Sequence, residues 1–170
     1  MVLPERVLVV GFRRTGRAVA RVLGARGVAV SVADTTPAET LGVDPGAWPG
    51  VAFHLGCDGA SLVDRVDLVV PSPGVPVAAP VLVAARRRGV PVWSEIELAA
   101  RLLDCPLIAI TGTNGKSTTT TLVGLALERA GRRTFTGGNL GTPLVSAVES
   151  PPEIAVAEVS TFQQIGRAHV

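Results

Sequence analysis

Residues 106–122 read PLIAITGTNGKSTTTTL, and the fold turns on this stretch. Pro106 to Ile110 is a short apolar run without a turn former, which predicts a buried strand. A turn follows from Thr111 to Thr118, and a helical pattern runs from about Ser117 to Ala130. A glycine-rich turn between a strand and a helix is suited to hold phosphate. Gly112 and Gly115 let backbone N–H groups converge, and the helix N-terminus adds its dipole. Gly112, Thr113, Asn114, Gly115, Lys116, Ser117 and Thr118 are therefore the candidates for holding phosphate. Lys116 would reach the outer phosphates, and the Ser117 hydroxyl would sit on Mg²⁺.

The strict phosphate-loop pattern wants a glycine five residues before Gly115, where this chain has Ile110. The loop G-T-N-G-K-S is thus a variant. Composition favours function all the same: the chain has 15 arginines and one lysine, and that lysine is Lys116. The ammonium is a compact point charge that arginine does not replace at a phosphate. An ordinary Gly-Thr turn with a chance lysine is the bland alternative, and the flanking strand and helix weigh against it.

Downstream, Arg133 to Thr136 is expected as a short strand ahead of Gly137–Gly138–Asn139–Leu140–Gly141. Ile154 to Ala157 is expected as a strand that delivers Glu158. A carboxylate at a strand end beyond a phosphate loop is placed to bind metal or orient water. Taken alone Glu158 could be a surface acid; beside Lys116 and Ser117 it becomes a catalytic and metal-ligand candidate.

Upstream, Arg6 to Val10 is the first expected strand, Gly11 to Gly16 a turn, and a helix follows to about Arg26 with Gly27 as its cap. Val28 to Ala33 is the second strand and ends at Asp34. This βαβ layout fits a nucleotide site in which Asp34 takes a hydroxyl or an N–H. The dinucleotide fingerprint is broken, because Arg13 stands where the second glycine would allow a pyrophosphate close to the backbone. A Rossmann-like turn without a ligand stays open on this unit alone. Thr35 to Gly50 reads as a connection, Val51 to His54 as a short strand and Val66 to Val70 as another. Pro71–Ser72–Pro73–Gly74–Val75–Pro76 is a stiff loop at a strand's carboxyl end, where ligands sit in open α/β sheets. Val77 to Arg88 is expected as a helix and Val90 to Trp93 as a strand. Ser94 to Leu103 reads as a helix with Ser94 at its N-cap and Glu97 three residues on.

The length of 170 residues suits one domain, or one small domain plus part of another. With 47% hydrophobic residues a real core is expected. No apolar run reaches the length of a membrane span and no signal-peptide layout is present, so no membrane partner is expected and the cytoplasm is the expected location. Cys57 and Cys105 suggest neither a disulfide scaffold nor a zinc site. His54, alone, reads as a surface or satisfied histidine. Net charge is +2, and neither half carries a nucleic-acid footprint. Arg86–Arg87–Arg88 ends an expected helix, where cations suit the dipole.

Several motifs line up in one order: Gly11…Thr15–Gly16, Asp34, Ser72–Pro73–Gly74, Ser94–Glu95–Ile96–Glu97–Leu98, Gly112 to Thr118, Gly138–Asn139 and Glu158…Phe162–Gln163. Together they resemble the Mur ligase family over nearly the whole chain, and the pattern looks most like the branch that adds D-glutamate. The resemblance implies an α/β protein: a Rossmann-like UDP-binding domain at 1–94, then the first part of a P-loop-type ATPase domain at 95–164. Residues 165–170 leave the family pattern and read as a non-native tail. By motif position, Arg14, Thr15, Asp34, Thr35 and Thr36 would contact the uracil and its surroundings. Gly74 and Asn139 would contact the diphosphate–sugar part, and Ser72 and Gly138 are further UDP-substrate-binding candidates. Arg13 departs from the glycine the family often carries.

The implied reaction is ATP-dependent amide formation through an acyl phosphate. Its implied partners are UDP-N-acetylmuramoyl-L-alanine, D-glutamate and ATP with Mg²⁺, in a monomeric full-length enzyme. The chain would lack the rest of the active site and be inactive alone. Two rivals stay in view: an NAD(P)-binding module and a non-catalytic nucleotide-binding module.

Overall fold

A computed structural model describes residues 3–139 and 141–160. Phe162, Gln163 and the 165–170 segment lie outside the described residues. The chain divides into two compact units, Met1–Ser94 and Glu95–Val170.

The first unit is built on four parallel strands in the order β3-β2-β1-β4. They are β1 (Arg6–Val10), β2 (Ala29–Asp34), β3 (Val51–Leu55) and β4 (Leu68–Pro71). Parallel strands are covered on both faces, so β1 reads as an unbroken apolar run, and Val7, Leu8, Val9 and Val10 are all buried. Leu8 and Val10 join Val69, Val81, Leu82 and Ala85 in one core cluster. That cluster brings α3 (Pro80–Arg88) against the sheet, along with the 3-10 helix Ala60–Arg65. By strand alternation Val7 and Val9 take the opposite face. The helix α1 (Arg14–Gly24) buries Ala18, Val19, Val22 and Leu23.

Gly16 is a fixed point of this unit. A Cβ there would run into the Gly11 carbonyl oxygen. Only a glycine lets the first turn of α1 sit down on the β1 turn.

Several expectations shift. The first helix ends at Gly24 with Ala25 as its cap, not at Arg26; Gly27 instead takes φ +75° in the turn to β2. Val90 to Trp93 does not form a full strand; Val92 makes one parallel bridge to Val69. The connection from Thr35 to Gly50 holds a short helix, α2 (Ala38–Leu41), and a 3-10 turn at Pro45–Ala47.

The second unit has α4 (Glu95–Leu102), β5 (Leu107–Ile110), α5 (Lys116–Arg129), β6 (Thr134–Gly138), a 3-10 helix at Leu144–Glu149, and β7 (Ile154–Glu158). Its parallel sheet runs β5-β7-β6, so the last strand in sequence is the middle one. Ala155, Val156 and Ala157 are accordingly buried. The strand expected to be buried, β5, is instead half-exposed. It pairs with β7 alone among the described residues, and an edge strand keeps part of its surface in solvent. The helix α5 lies against the sheet at Gly124, where a Cβ would strike the Thr136 side chain.

Candidate functional site

The register places three chain ends together. Ile110 is opposite Glu158 across β5 and β7, and Gly138 is opposite Glu158 across β6 and β7. Because the strands are parallel, the phosphate loop after Ile110, the Glu158 carboxylate and the Gly138–Asn139 turn all lie at the carboxyl edge of one sheet. Ligands collect at that edge in α/β folds.

In the loop, Gly112 and Gly115 hold φ of +148° and +74°, and Gly115 forms the N-cap position of α5. Gly112 to Gly115 are exposed, and Lys116 and Ser117 are half-buried. Lys116 Nζ donates to the Gly112 carbonyl oxygen at 2.8 Å, so the ammonium lies back across the loop. Ser117 Oγ donates to Glu158 Oε2 at 2.7 Å. Glu158 itself is only 4% exposed. A hydroxyl and a carboxylate in contact are hard oxygen donors. Mg²⁺ takes one or two such protein ligands and fills its octahedron with phosphate oxygens and water. The donor set fits that ion. No group of three or more His, Cys, Asp or Glu that could hold a metal is found among the described residues.

Gly138 is required for close approach. It takes φ +101°, and a Cβ there would come within 2.6 Å of the Glu158 carbonyl oxygen. The Asn139 N–H donates to that same carbonyl at 2.9 Å, which fixes the exposed Asn139 beside Glu158.

The first unit assembles its own cluster at the carboxyl ends of β1, β2 and β4. Asp34 Oδ2 accepts from the Phe12 N–H at 2.7 Å, and Oδ1 accepts from the Thr36 N–H at 2.8 Å. The carboxylate that sequence spacing offers to a ligand therefore pins the turn after β1 to the turn after β2. Ser72 Oγ donates to the Gly11 carbonyl at 3.0 Å and draws the Ser72–Gly74 loop onto the same turn. Arg14 is exposed on the first turn of α1, with Thr15 half-buried beside it, and Thr35 and Gly74 lie in the adjoining loops. Arg13 is exposed at the N-cap of α1.

Two features escaped sequence reading. Phe12 is fully buried between Trp48 and Phe53, edge-on to each with ring centroids 5.0 Å apart, and the Arg17 guanidinium stands 5.3 Å from its ring centre. The broken fingerprint drew attention to Arg13 next door, and no local spacing links residues 12, 48 and 53. The second is the burial of Glu95, a residue of the Ser94–Leu98 motif whose partners are 49 and 50 residues away. His54 is half-buried in β3 and Cys57 exposed, with no metal cluster around them among the described residues.

A Rossmann-like sheet followed by a phosphate-loop sheet defines a class of two-unit nucleotide-binding proteins. Comparison narrows the class. Residues 5–94 match the family description "Mur ligase MurD-like, N-terminal domain", and residues 110–169 match "Mur ligase middle domain". The chain belongs to the Mur ligase family. It is 52% identical to the UDP-N-acetylmuramoylalanine--D-glutamate ligase of Anaeromyxobacter dehalogenans, over 98% of this chain and 37% of that protein. It is 49% identical to the ligase of the same name from Syntrophus aciditrophicus, over 94% of this chain and 36% of that protein. The chain thus spans just over a third of the length of these relatives. Among solved structures, a pseudomurein peptide ligase type C from Methanothermus fervidus superposes with a TM-score of 0.52 at 25% identity, over 93% of this chain and 33% of that one. No helix among the described residues is long and apolar enough to cross a membrane.

Proposed function

We propose that this chain forms the UDP-binding and phosphate-loop portion of an ATP-dependent ligase. The ligase joins D-glutamate to UDP-N-acetylmuramoyl-L-alanine in peptidoglycan precursor synthesis. One observation carries the reading: the Ser117 hydroxyl on the Glu158 carboxylate, beside Lys116, at the carboxyl edge of a parallel sheet. The names of the relatives that align along nearly the whole chain support the choice of D-glutamate.

A carboxylate is a poor electrophile for an amine because its charge and resonance oppose attack. In the proposed reaction the L-alanine carboxylate oxygen attacks the γ-phosphorus of ATP, and ADP departs. The D-glutamate nitrogen then attacks the acyl carbon, the C–O bond to phosphate breaks, and inorganic phosphate leaves. The loop from Gly112 to Thr118 holds the phosphates through its N–H groups. Lys116 turns from the Gly112 carbonyl to the outer phosphates and offsets charge in the transition state. Ser117 and Glu158 would hold Mg²⁺, which supplies Lewis-acid neutralisation of the phosphate oxygens. Gly138 and Asn139, on the same sheet edge, face the sugar–diphosphate portion.

In this reading residues 1–94 are the UDP-substrate domain, with Arg14, Thr15, Asp34, Thr35, Thr36, Ser72 and Gly74 around the substrate. Residues 95–164 are part of the ATPase domain. Residues 165–170 are assigned as a tail, an assignment that the reach of the middle-domain match to residue 169 counts against. The remaining metal ligands and the D-glutamate site lie in the other two-thirds of the enzyme, which acts as a monomer in the cytoplasm.

Calorimetric titration of the 170-residue chain tests the substrate side. Binding of UDP-N-acetylmuramoyl-L-alanine with no heat from NAD is expected. Binding of NAD alone would replace this proposal with a dinucleotide-binding module.

A further inference from the structure

Glu95 belongs to neither cluster described above, yet it is only 2% exposed. A carboxyl group at that depth persists where donors meet it. Its donors are backbone groups far along the chain. Glu95 Oε1 accepts from the Val145 N–H at 2.6 Å, and the Leu144 N–H also bonds to it. Those are the first two residues of the 3-10 helix Leu144–Glu149, whose own N-cap position is Pro143 and provides no side-chain cap. Glu95 does from α4 what a capping residue does locally: it satisfies orphan N–H groups at a helix start.

The start of that 3-10 helix is also the end of the loop that leaves β6. Inside the loop the Gly138 N–H donates to the Thr142 carbonyl at 2.8 Å, and the Asn139 N–H to the Glu158 carbonyl at 2.9 Å. A side chain at Gly137 would also strike the Thr142 carbonyl. Thr142 is therefore clamped to the end of β6, two residues before the segment that Glu95 holds. Gly138 pairs with Glu158 through the β6-β7 ladder, and the Glu95 bonds hold the far end of the loop at Leu144 and Val145.

We infer that Glu95 is a positioning residue for the carboxyl edge of the second sheet: by capping the 3-10 helix Leu144–Glu149 it holds the far end of the loop that begins at Gly138 and Asn139. Burial pushes the Glu95 carboxyl up to about 7, and the backbone donation from Val145 and Leu144 works against that rise. The cap thus changes strength around neutral pH, because a carboxylate accepts more strongly than a carboxylic acid. The other ionisable groups on α4 and the 3-10 helix are Glu97 and Arg101, which pair with each other at 2.8 Å, and Glu149, exposed at the last position of the 3-10 helix. The consequence for substrate rests on the proposed role of Asn139; the positioning itself does not.

The test is a pH titration of the ¹⁵N-labelled 170-residue chain by NMR. The amide resonances of Leu144 and Val145 are expected to move with a common midpoint near 7, and those of Gly138 and Asn139 to move with the same midpoint. All four lose that titration in Glu95→Gln, while the β7 amides from Ala155 to Ala157 keep their wild-type positions. Movement of Leu144 and Val145 without Gly138 and Asn139 would reduce Glu95 to a local cap and overturn the inference. So would a Gly138 and Asn139 titration that survives Glu95→Gln. Where that variant fails to fold, the wild-type titration alone decides. A coupled titration in a chain that binds no UDP-substrate would sink the proposed function and leave the positioning role standing.

Discussion

Lys116 is the only lysine in the chain, and it stands at the one position where a compact charge is hard to replace. Its resting contact is a carbonyl oxygen of its own loop, which holds the ammonium over the phosphate cradle. In the proposed reaction, replacing it with alanine removes charge that counts most in the transition state. Lys116→Ala is expected to lower kcat of the ligase containing this chain by ~100-fold or more, about 3 kcal/mol, with folding unchanged by circular dichroism. Turnover near wild type would remove Lys116 from the reaction. Glu158 makes a different prediction. Glu158→Gln keeps a side chain that accepts from Ser117 but removes the charge. The Mg²⁺ concentration for half-maximal activity should rise roughly 10–100-fold, as for other losses around a metal site. An unchanged Mg²⁺ requirement would return Glu158 to a purely structural role. Asp34 shows why residue type does not settle residue role. Its spacing suits a hydroxyl or an N–H, and each oxygen accepts one backbone N–H. It shapes the turns around the site and keeps acceptor capacity for a ligand.

At the scale of elements, contacts between turns matter more than the lengths of helices. The start of α1 is pressed on the β1 turn at Gly16, so Gly16→Ala forces one of them to move. A loss of about 3 kcal/mol, at the top of the overpacking range, is expected in urea denaturation of the chain. A midpoint within error of wild type would show that the turn yields freely. The pairing of α4 with the 3-10 helix makes a prediction about pH. The Glu95 carboxyl is raised to about 7 in the fold from an ordinary 4.5. Between those values the folded state keeps a proton that the unfolded state has released, so stability is greatest below about 4.5 and falls as pH rises to about 7. The separation corresponds to roughly 3 kcal/mol at most. Urea midpoints measured across this range should fall for wild type, and Glu95→Gln should flatten the fall. A slope that persists in Glu95→Gln would assign it to another group.

At the scale of the molecule, the chain is two units, each with its own sheet. The first has its sheet covered by helices and is expected to fold by itself. A 1–94 protein should show a cooperative thermal transition by circular dichroism; a featureless melt would mean that the unit depends on the second one. The second unit keeps Leu122 at 61% and Leu125 at 43% exposure on α5, and a half-exposed β5. Both units could be read far into the sequence because parallel α/β folds write their elements locally. A buried strand is an apolar run, and a phosphate loop is glycine between a strand and a helix. Arg6–Val10 appeared with the expected bounds, and Lys116–Arg129 began one residue from the expected start. The candidate site was legible to the same depth, with Lys116, Ser117 and Glu158 chosen by type and position.

The limits of that reading are physical. Spacing along the chain says nothing about which strand is central, so the half-exposure of β5 had to come from the sheet order. Ser117 and Glu158 are 41 residues apart, and only the parallel register of β5 and β7 turns two plausible candidates into a 2.7 Å contact. The Phe12 cluster and the Glu95 cap are of the same kind. Each joins groups tens of residues apart, and the burial that gives them their character exists only once the chain has packed.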